Sequence, residues 1–339
     1  MDRKDFIQLA APLLYRRSSF LNSNPTILNA RIKKTPPYLK KGDVVGICCP
    51  SGYISLEDTQ PAFNKLVEWG FEVRLGSSVG LKDFTYAGTD EQRANDLQMM
   101  LDDDSIKAIL FGRGGYGAVR VIDNINFDHF HKKPKWIIGF SDATVFHSHI
   151  NRNLGTATIH SKMCNSFPTN FAEAEIIQIK SIDSIRDCLI GEKIIYPILP
   201  NSYNKPGMGR GELVGGNLSI IQSLSGSDSA IDTRGKILFL EDVGEYLYSI
   251  DRMFWNLLRS GSLTNLNGLV IGNFKIKLDD PGDEFGKTIY EIILEKVKDF
   301  KYPVVFDFPV GHQKENYALK CGLKHELNVG ANSASLKEM

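Results

Sequence analysis

The chain has 339 residues, 42% of them hydrophobic, and 40 Lys plus Arg balance 40 Asp plus Glu to a formal net charge of zero. At roughly 150 residues per domain this length suggests about two domains, with enough core to need no disulfide or metal staples. The charge balance argues against a nucleic-acid binder driven by bulk charge, no 18-residue apolar run is present to span a membrane, and the composition excludes collagen, coiled coil and disordered tail.

Residues 1–35 are expected to form a poorly ordered leader. Arg3 and Lys4 precede an apolar stretch from Phe6 to Leu14, the charge order of an export signal. Pro12 interrupts that stretch, Arg16 and Arg17 follow at once, and no clear A-x-A cleavage site appears. The expected location is cytoplasmic, with export the alternative if the leader acts as a signal. Five cysteines (Cys48, Cys49, Cys164, Cys188 and Cys321) make an odd number without a CxxC pair, which fits a reducing compartment better than a zinc knuckle or disulfide framework.

From Pro36 onward short apolar runs alternate with helical patterns. Asp43–Cys49 reads as a buried strand closed by Pro50-Ser51-Gly52, Glu57–Gly70 as a helix, and Phe71–Leu75 as a second strand. Asp90–Asp102 is helical. Ile106–Phe111 is a third strand, followed by the glycine-rich loop Gly112–Gly117. Trp136–Phe140 is a fourth, followed at once by Ser141, Asp142 and a helix. This βαβ series predicts a parallel, helix-covered sheet of flavodoxin or Rossmann type over 36–165.

Residues 166–204, rich in Asn and Pro, read as a connection carrying one helix, Ala172–Leu189. A second, β-containing α/β domain is expected over 205–339. Its predicted elements are a strand or turn at Gly211–Gly216, a helix at Asn217–Leu224, strands at Lys236–Glu241 and Leu269–Gly272, and a helix at Ser249–Ser260. An amphipathic helix at Asp283–Phe300 and a strand at Val304–Phe308 complete them.

Ligands of open parallel sheets sit at the carboxyl ends of the strands, so reactive residues that directly follow a strand carry the functional argument. Ser141 lies at a tight strand-to-helix turn, where a hydroxyl projects from the sheet and the next N–H faces an oxyanion. Gly139-Phe140-Ser141-Asp142-Ala143 departs from G-x-S-x-G only in Ala143. A helix N-cap explains the same residue types. The loop Gly112-Arg113-Gly114-Gly115-Tyr116-Gly117 formally matches G-x-G-x-x-G, yet follows the third strand rather than the first, and no P-loop lysine follows it. Such a loop also serves to offer bare N–H groups to an oxyanion, or simply to turn.

Among the seven histidines, His129 and His131 read as solvated loop residues. His147 and His149 sit in the helix after Ser141, His160 ends an apolar run as a reserve base, and no H-E-x-x-H motif is present. His312 follows the strand at 304–308 through Gly311, and Glu241 ends the strand at 236–240. Taken singly, each is a common loop or strand-end residue. In the order Ser141, Glu241, His312 they follow the nucleophile, acid and base sequence of α/β hydrolases.

Pro50-Ser51-Gly52, Arg113-Gly114-Gly115-Tyr116-Gly117, Gly139-Phe140-Ser141-Asp142, Gly215-Gly216-Asn217-Leu218, Leu240-Glu241-Asp242 and Gly311-His312 occur in that order. Together they resemble the LD-carboxypeptidase family of serine peptidases, over about residues 37–325. That family includes muramoyltetrapeptide carboxypeptidases and microcin C immunity peptidases. The resemblance implies a Ser141–Glu241–His312 triad and an oxyanion hole from the N–H groups of Asp142 and Gly114 or Gly115. Arg113, with Tyr116 beside it, is the candidate to hold substrate.

The resemblance further implies a two-domain enzyme, commonly a dimer, with the site between its domains and no metal or organic cofactor. The implied reaction removes the terminal D-alanine from a murein tetrapeptide, with no nucleic acid as partner. A peptidyl-nucleotide substrate of the microcin type is the nearest alternative. A non-catalytic nucleotide- or sugar-binding module is the second, and it requires Ser141, Glu241 and His312 to lie far apart.

Overall fold

Residues 33–339 are described by a computed structural model. Most of the expected leader, 1–32, lies outside the described residues. Lys33–Met339 form one compact unit built on two sheets.

The first sheet opens with β1 (Val44–Cys48), whose chain turns through Pro50–Gly52 into α1 (Leu56–Glu68), capped by the Ser55 hydroxyl on the Asp58 N–H. β2 (Glu72–Leu75) and α2 (Asp90–Asp102) follow, α2 opening with a reciprocal Thr89–Gln92 capping box. β3 (Ile106–Phe111) runs into the glycine loop, and the helix this loop opens, α3 (Ala118–Val121), is a single turn. α4 (Asp128–Lys132) carries His129 and His131, which the sequence reading placed in a loop. β4 (Trp136–Gly139) leads to a 3-10 turn at Ser141–Ala143 and only then to α5 (Thr144–Asn153), followed by β5 (Thr158–His160).

β1 to β5 are parallel, in the spatial order β5-β4-β3-β1-β2. That is the flavodoxin-like order, in which the chain reverses direction across the sheet between β1 and β3 and opens a crevice beyond their carboxyl ends. Alternation along the strands loads both faces. Val45, Ile47, Ala108 and Leu110 pack on Leu66 of α1, while Ile109, Phe111 and Ile137 pack on Leu97 and Leu101 of α2 and Phe146 of α5.

The second sheet begins within the expected connection. α6 (Ile176–Ile190) ends on left-handed Gly191, and Ile195–Ile198, unanticipated as a strand, forms the edge strand β6. β7 (Gly207–Asn217), α7 (Leu218–Ser223), β8 (Ile237–Val243), α8 (Leu247–Arg259) and β9 (Gly268–Lys275) give a parallel β7-β8-β9 core.

The expected long helix at 283–300 is shorter: α9 spans Ile289–Val297. Its first turn is fixed by the Thr288–Glu291 capping box, and left-handed Gly282 and Gly286 keep the preceding residues in loop. The strand expected over 304–308 is two residues long, β10 (Val304–Val305), paired with β9.

Three further strands went unforeseen. β11 (Leu319–Cys321) leaves the second half of the chain and pairs antiparallel with β5 at the edge of the first sheet. β12 (Lys324–Val329) and β13 (Ala334–Glu338) add antiparallel to β7 and reach β6. β11 thus ties the chain that follows His312 to the sheet that carries Ser141. Among the described residues no helix is long and apolar enough to cross a membrane.

Candidate active site

Three loops of the first sheet converge beyond β1, β3 and β4. The Gly52 N–H donates to the Gly114 carbonyl at 2.9 Å, joining the first loop to the second. Arg93 of α2 is wholly buried beneath the first two, and its guanidinium donates to the carbonyls of Pro50 and Gly117 there and of Gly88 before α2, and pairs with Asp90. The Asp142 carboxylate joins the third loop to the second by accepting the Ala118 N–H at 2.8 Å. Burial pushes the Asp142 carboxyl up, while the Ser51 hydroxyl and the Ala118 N–H pull it down. Sequence reading passed over Arg93, because one arginine on a polar helix face carries no sign of its burial.

Ser141 sits at the apex of this arrangement with φ of 60°, the left-handed region that L-residues seldom occupy. Strain of this kind is a feature of nucleophile turns and is held by the surrounding packing. A side chain on Gly114 would come 3.2 Å from Ser141 Cβ, so the glycine loop approaches the serine closely. Among the described residues the N–H groups of Gly114, Gly115 and Asp142 have no acceptor. Arg113 is exposed, with its guanidinium 3.3 Å from the Tyr53 carbonyl. Tyr116 is exposed too, its ring 6.1 Å from that of Tyr86.

The second half of the site comes from the other sheet. Glu241 on β8 is fully buried, and its Oε2 lies 2.7 Å from His312 Nδ1. The opposite ring nitrogen, Nε2, lies 3.0 Å from Ser141 Oγ. Phe140 covers the imidazole with ring centroids 4.8 Å apart. Gly311, at φ of 123°, brings His312 round Glu241: a Cβ there would meet Glu241 Cβ at 3.0 Å and the Asn273 carbonyl at 3.1 Å.

The seam between the sheets is hydrogen-bonded as well. The Asn217 N–H donates to the Thr144 hydroxyl at 3.1 Å, and the Asn217 amide holds Asp242 at 3.1 Å. Burial pushes the Asp242 carboxyl up to about 6, against the pull of the Val243 and Ser219 N–H groups.

The structure therefore brings Ser141, Glu241 and His312 into one hydrogen-bonded chain, with Asp142, Gly114 and Gly115 beside the serine. This contact removes the binding-module reading, which required the three to be far apart. His160, the reserve base, is fully buried behind Phe140, and neither ring nitrogen has a partner among the described residues. Burial holds it neutral, well below the usual histidine range. No cluster of three or more metal-ligating side chains occurs among the described residues.

Two family models match the chain: the LD-carboxypeptidase N-terminal domain over residues 45–161 and the LD-carboxypeptidase C-terminal domain over 210–327. A Bacillus subtilis protein named as a probable murein peptide carboxypeptidase is 30% identical over 316 residues, covering 89% of this chain and 94% of its own length. The crystal structure of a muramoyltetrapeptide carboxypeptidase from Oxalobacter formigenes superimposes with a TM-score of 0.78 at 26% identity, over 87% of this chain and 98% of its own. A microcin C7 self-immunity protein from Escherichia coli is 24% identical, over 88% of this chain and 94% of its own.

Proposed function

This chain belongs to the LD-carboxypeptidase family and is a serine-type carboxypeptidase, and from that premise we propose that it removes the terminal D-alanine from murein tetrapeptides through an acyl-enzyme on Ser141. One observation carries the mechanism: the continuous Glu241–His312–Ser141 hydrogen-bond chain, at 2.7 and 3.0 Å. Ser141 Oγ attacks the carbonyl that joins the L-centre of the diamino acid to D-alanine, while His312 Nε2 takes its proton. Glu241 accepts the Nδ1–H, which fixes the tautomer and stabilises the imidazolium. The N–H groups of Asp142 and of Gly114 or Gly115 receive the developing oxyanion.

As the tetrahedral intermediate collapses, His312 returns the proton to the leaving amine and D-alanine departs. Water then attacks the acyl-enzyme with His312 as base, and Ser141 is regenerated. In this proposal residues 36–165 form the domain that carries the nucleophile, and 205–339 the domain that carries the acid and base. The enzyme works as a cytoplasmic homodimer, to be checked by light scattering and fractionation. Five buried, unpaired thiols suit that reducing compartment.

The test is mass spectrometry of murein tetrapeptide digests with wild type and Ser141→Ala, beside a peptidyl-nucleotide conjugate. Loss of one alanine with wild type alone supports the proposal. Loss with both proteins rules out Ser141 as nucleophile, and cleavage of the conjugate alone moves the substrate to the microcin type.

A further inference from the structure

A carboxypeptidase that removes one residue has to recognise a free terminal carboxylate beside the scissile bond. The exposed Arg113 is poorly suited to this by itself, because solvent screens its charge. The other wall of the cleft holds a better placed cation. Lys162 lies just past the carboxyl end of β5. Its neighbour Met163 brings its Cε to 3.1 Å from where a Gly114 Cβ would stand, beside the 3.2 Å approach of Ser141 Cβ to the same point. The Lys162 side chain crosses to the opposite wall and donates from Nζ to the carbonyl of Gln313, the residue after His312. It thereby spans the nucleophile side and the base side of the site.

Lys162 is half-buried, and among the described residues no carboxylate pairs with it. Buried lysines normally have an acidic partner, because an ammonium removed from water is costly unless neutralised. Burial alone pulls this one down to about 8, with no acidic group holding it up. Its Gln313 contact satisfies one of three ammonium donors and leaves two for an incoming anion. We propose that Lys162 is the residue that binds the α-carboxylate of the departing D-alanine, through a charge-assisted hydrogen bond made at the wall between Met163 and the His312 loop. The proposal rests on the carboxypeptidase reading above and specifies how that site selects a chain terminus.

The experiment compares a murein tetrapeptide with its C-terminal D-alaninamide, using wild type, Lys162→Met and Lys162→Arg, each checked for a native thermal melt. Wild type should prefer the free acid. Lys162→Met should lose about 10- to 100-fold in kcat/KM on the acid, the range for a hydrogen bond to a charged group, mostly through KM. Its rate on the amide should stay unchanged, and Lys162→Arg should recover most of the acid activity. An equal fall on both substrates, no fall on the acid, or a wild type indifferent to amidation overturns the role of Lys162 while leaving the catalytic proposal in place. Failure of wild type to release alanine from the acid overturns the catalytic proposal, and the subsite with it.

Discussion

Ser141 and His312 stand 171 residues apart in the chain, and the imidazole Nε2 of one lies 3.0 Å from the hydroxyl of the other. They come from different sheets, so the proposed mechanism depends on how those sheets are fastened as much as on its three side chains.

Glu241 is buried and accepts from His312 Nδ1 at 2.7 Å. Glu241→Gln keeps the volume but offers an amide that favours the wrong imidazole tautomer. Alanine release should fall about 10³- to 10⁴-fold in kcat, with Tm nearly unchanged. Steady-state kinetics beside a thermal melt decide it; a loss below tenfold removes Glu241 from the proposed triad.

Gly311 is the hinge on which His312 turns. Gly311→Ala drives a methyl against Glu241 Cβ and the Asn273 carbonyl in a backbone region that disfavours side chains. The expected cost is about 1–3 kcal/mol of stability, accompanied by a fall in kcat. Denaturant unfolding and kinetics on the same sample check both; unchanged kcat would show that the imidazole tolerates displacement.

Asp142 contributes its N–H to the proposed oxyanion hole and its carboxylate to the Ala118 N–H at 2.8 Å. Asp142→Asn retains the main-chain donor but cannot accept at both oxygens, so the glycine loop loosens over Ser141. The expected result is roughly a 10²-fold loss in kcat with little change in KM, the size of effect seen when an oxyanion donor is misplaced. A variant that loses only KM would assign Asp142 to binding instead.

Acid should destabilise the fold through its buried histidines. Burial lowers His147 and His325 to about 4 and His160 further. A histidine whose folded pKa is depressed gives stability that is present above its unfolded value and is lost as pH falls toward the folded one. For His147, lowered from 6.5 to about 4, the loss is roughly 3 kcal/mol. Asp242, raised to about 6, works in the opposite direction, so a variant comparison isolates the histidine. His147→Gln should flatten the fall of Tm between pH 7 and pH 4.5; an unchanged slope would show that His147 does not take up a proton on unfolding.

Much of the molecule was legible from its residues. The strands at 44–48, 106–111 and 136–139 read as apolar runs because both of their faces are buried, and Ser141, Glu241 and His312 drew notice as residues at or past a strand end, although β8 runs on to Val243 and Glu241 lies within it. Capping chemistry is also local, yet the Thr288 cap that shortens α9 was missed because Asp283 and Glu284 read as the acidic first turn of the same amphipathic helix.

By itself the sequence determined a parallel α/β half of flavodoxin or Rossmann type, the order of the candidate residues and the family resemblance, since these rest on periodicity and on motifs spanning a few residues. Only the tertiary structure decided that β11 returns to pair with β5, that Arg93 lies buried under two loops, and that Lys162 reaches the loop of His312. Those features depend on contacts between segments far apart in the chain. Their energy comes from pairing, desolvation and packing at a distance, which no local pattern of residues expresses.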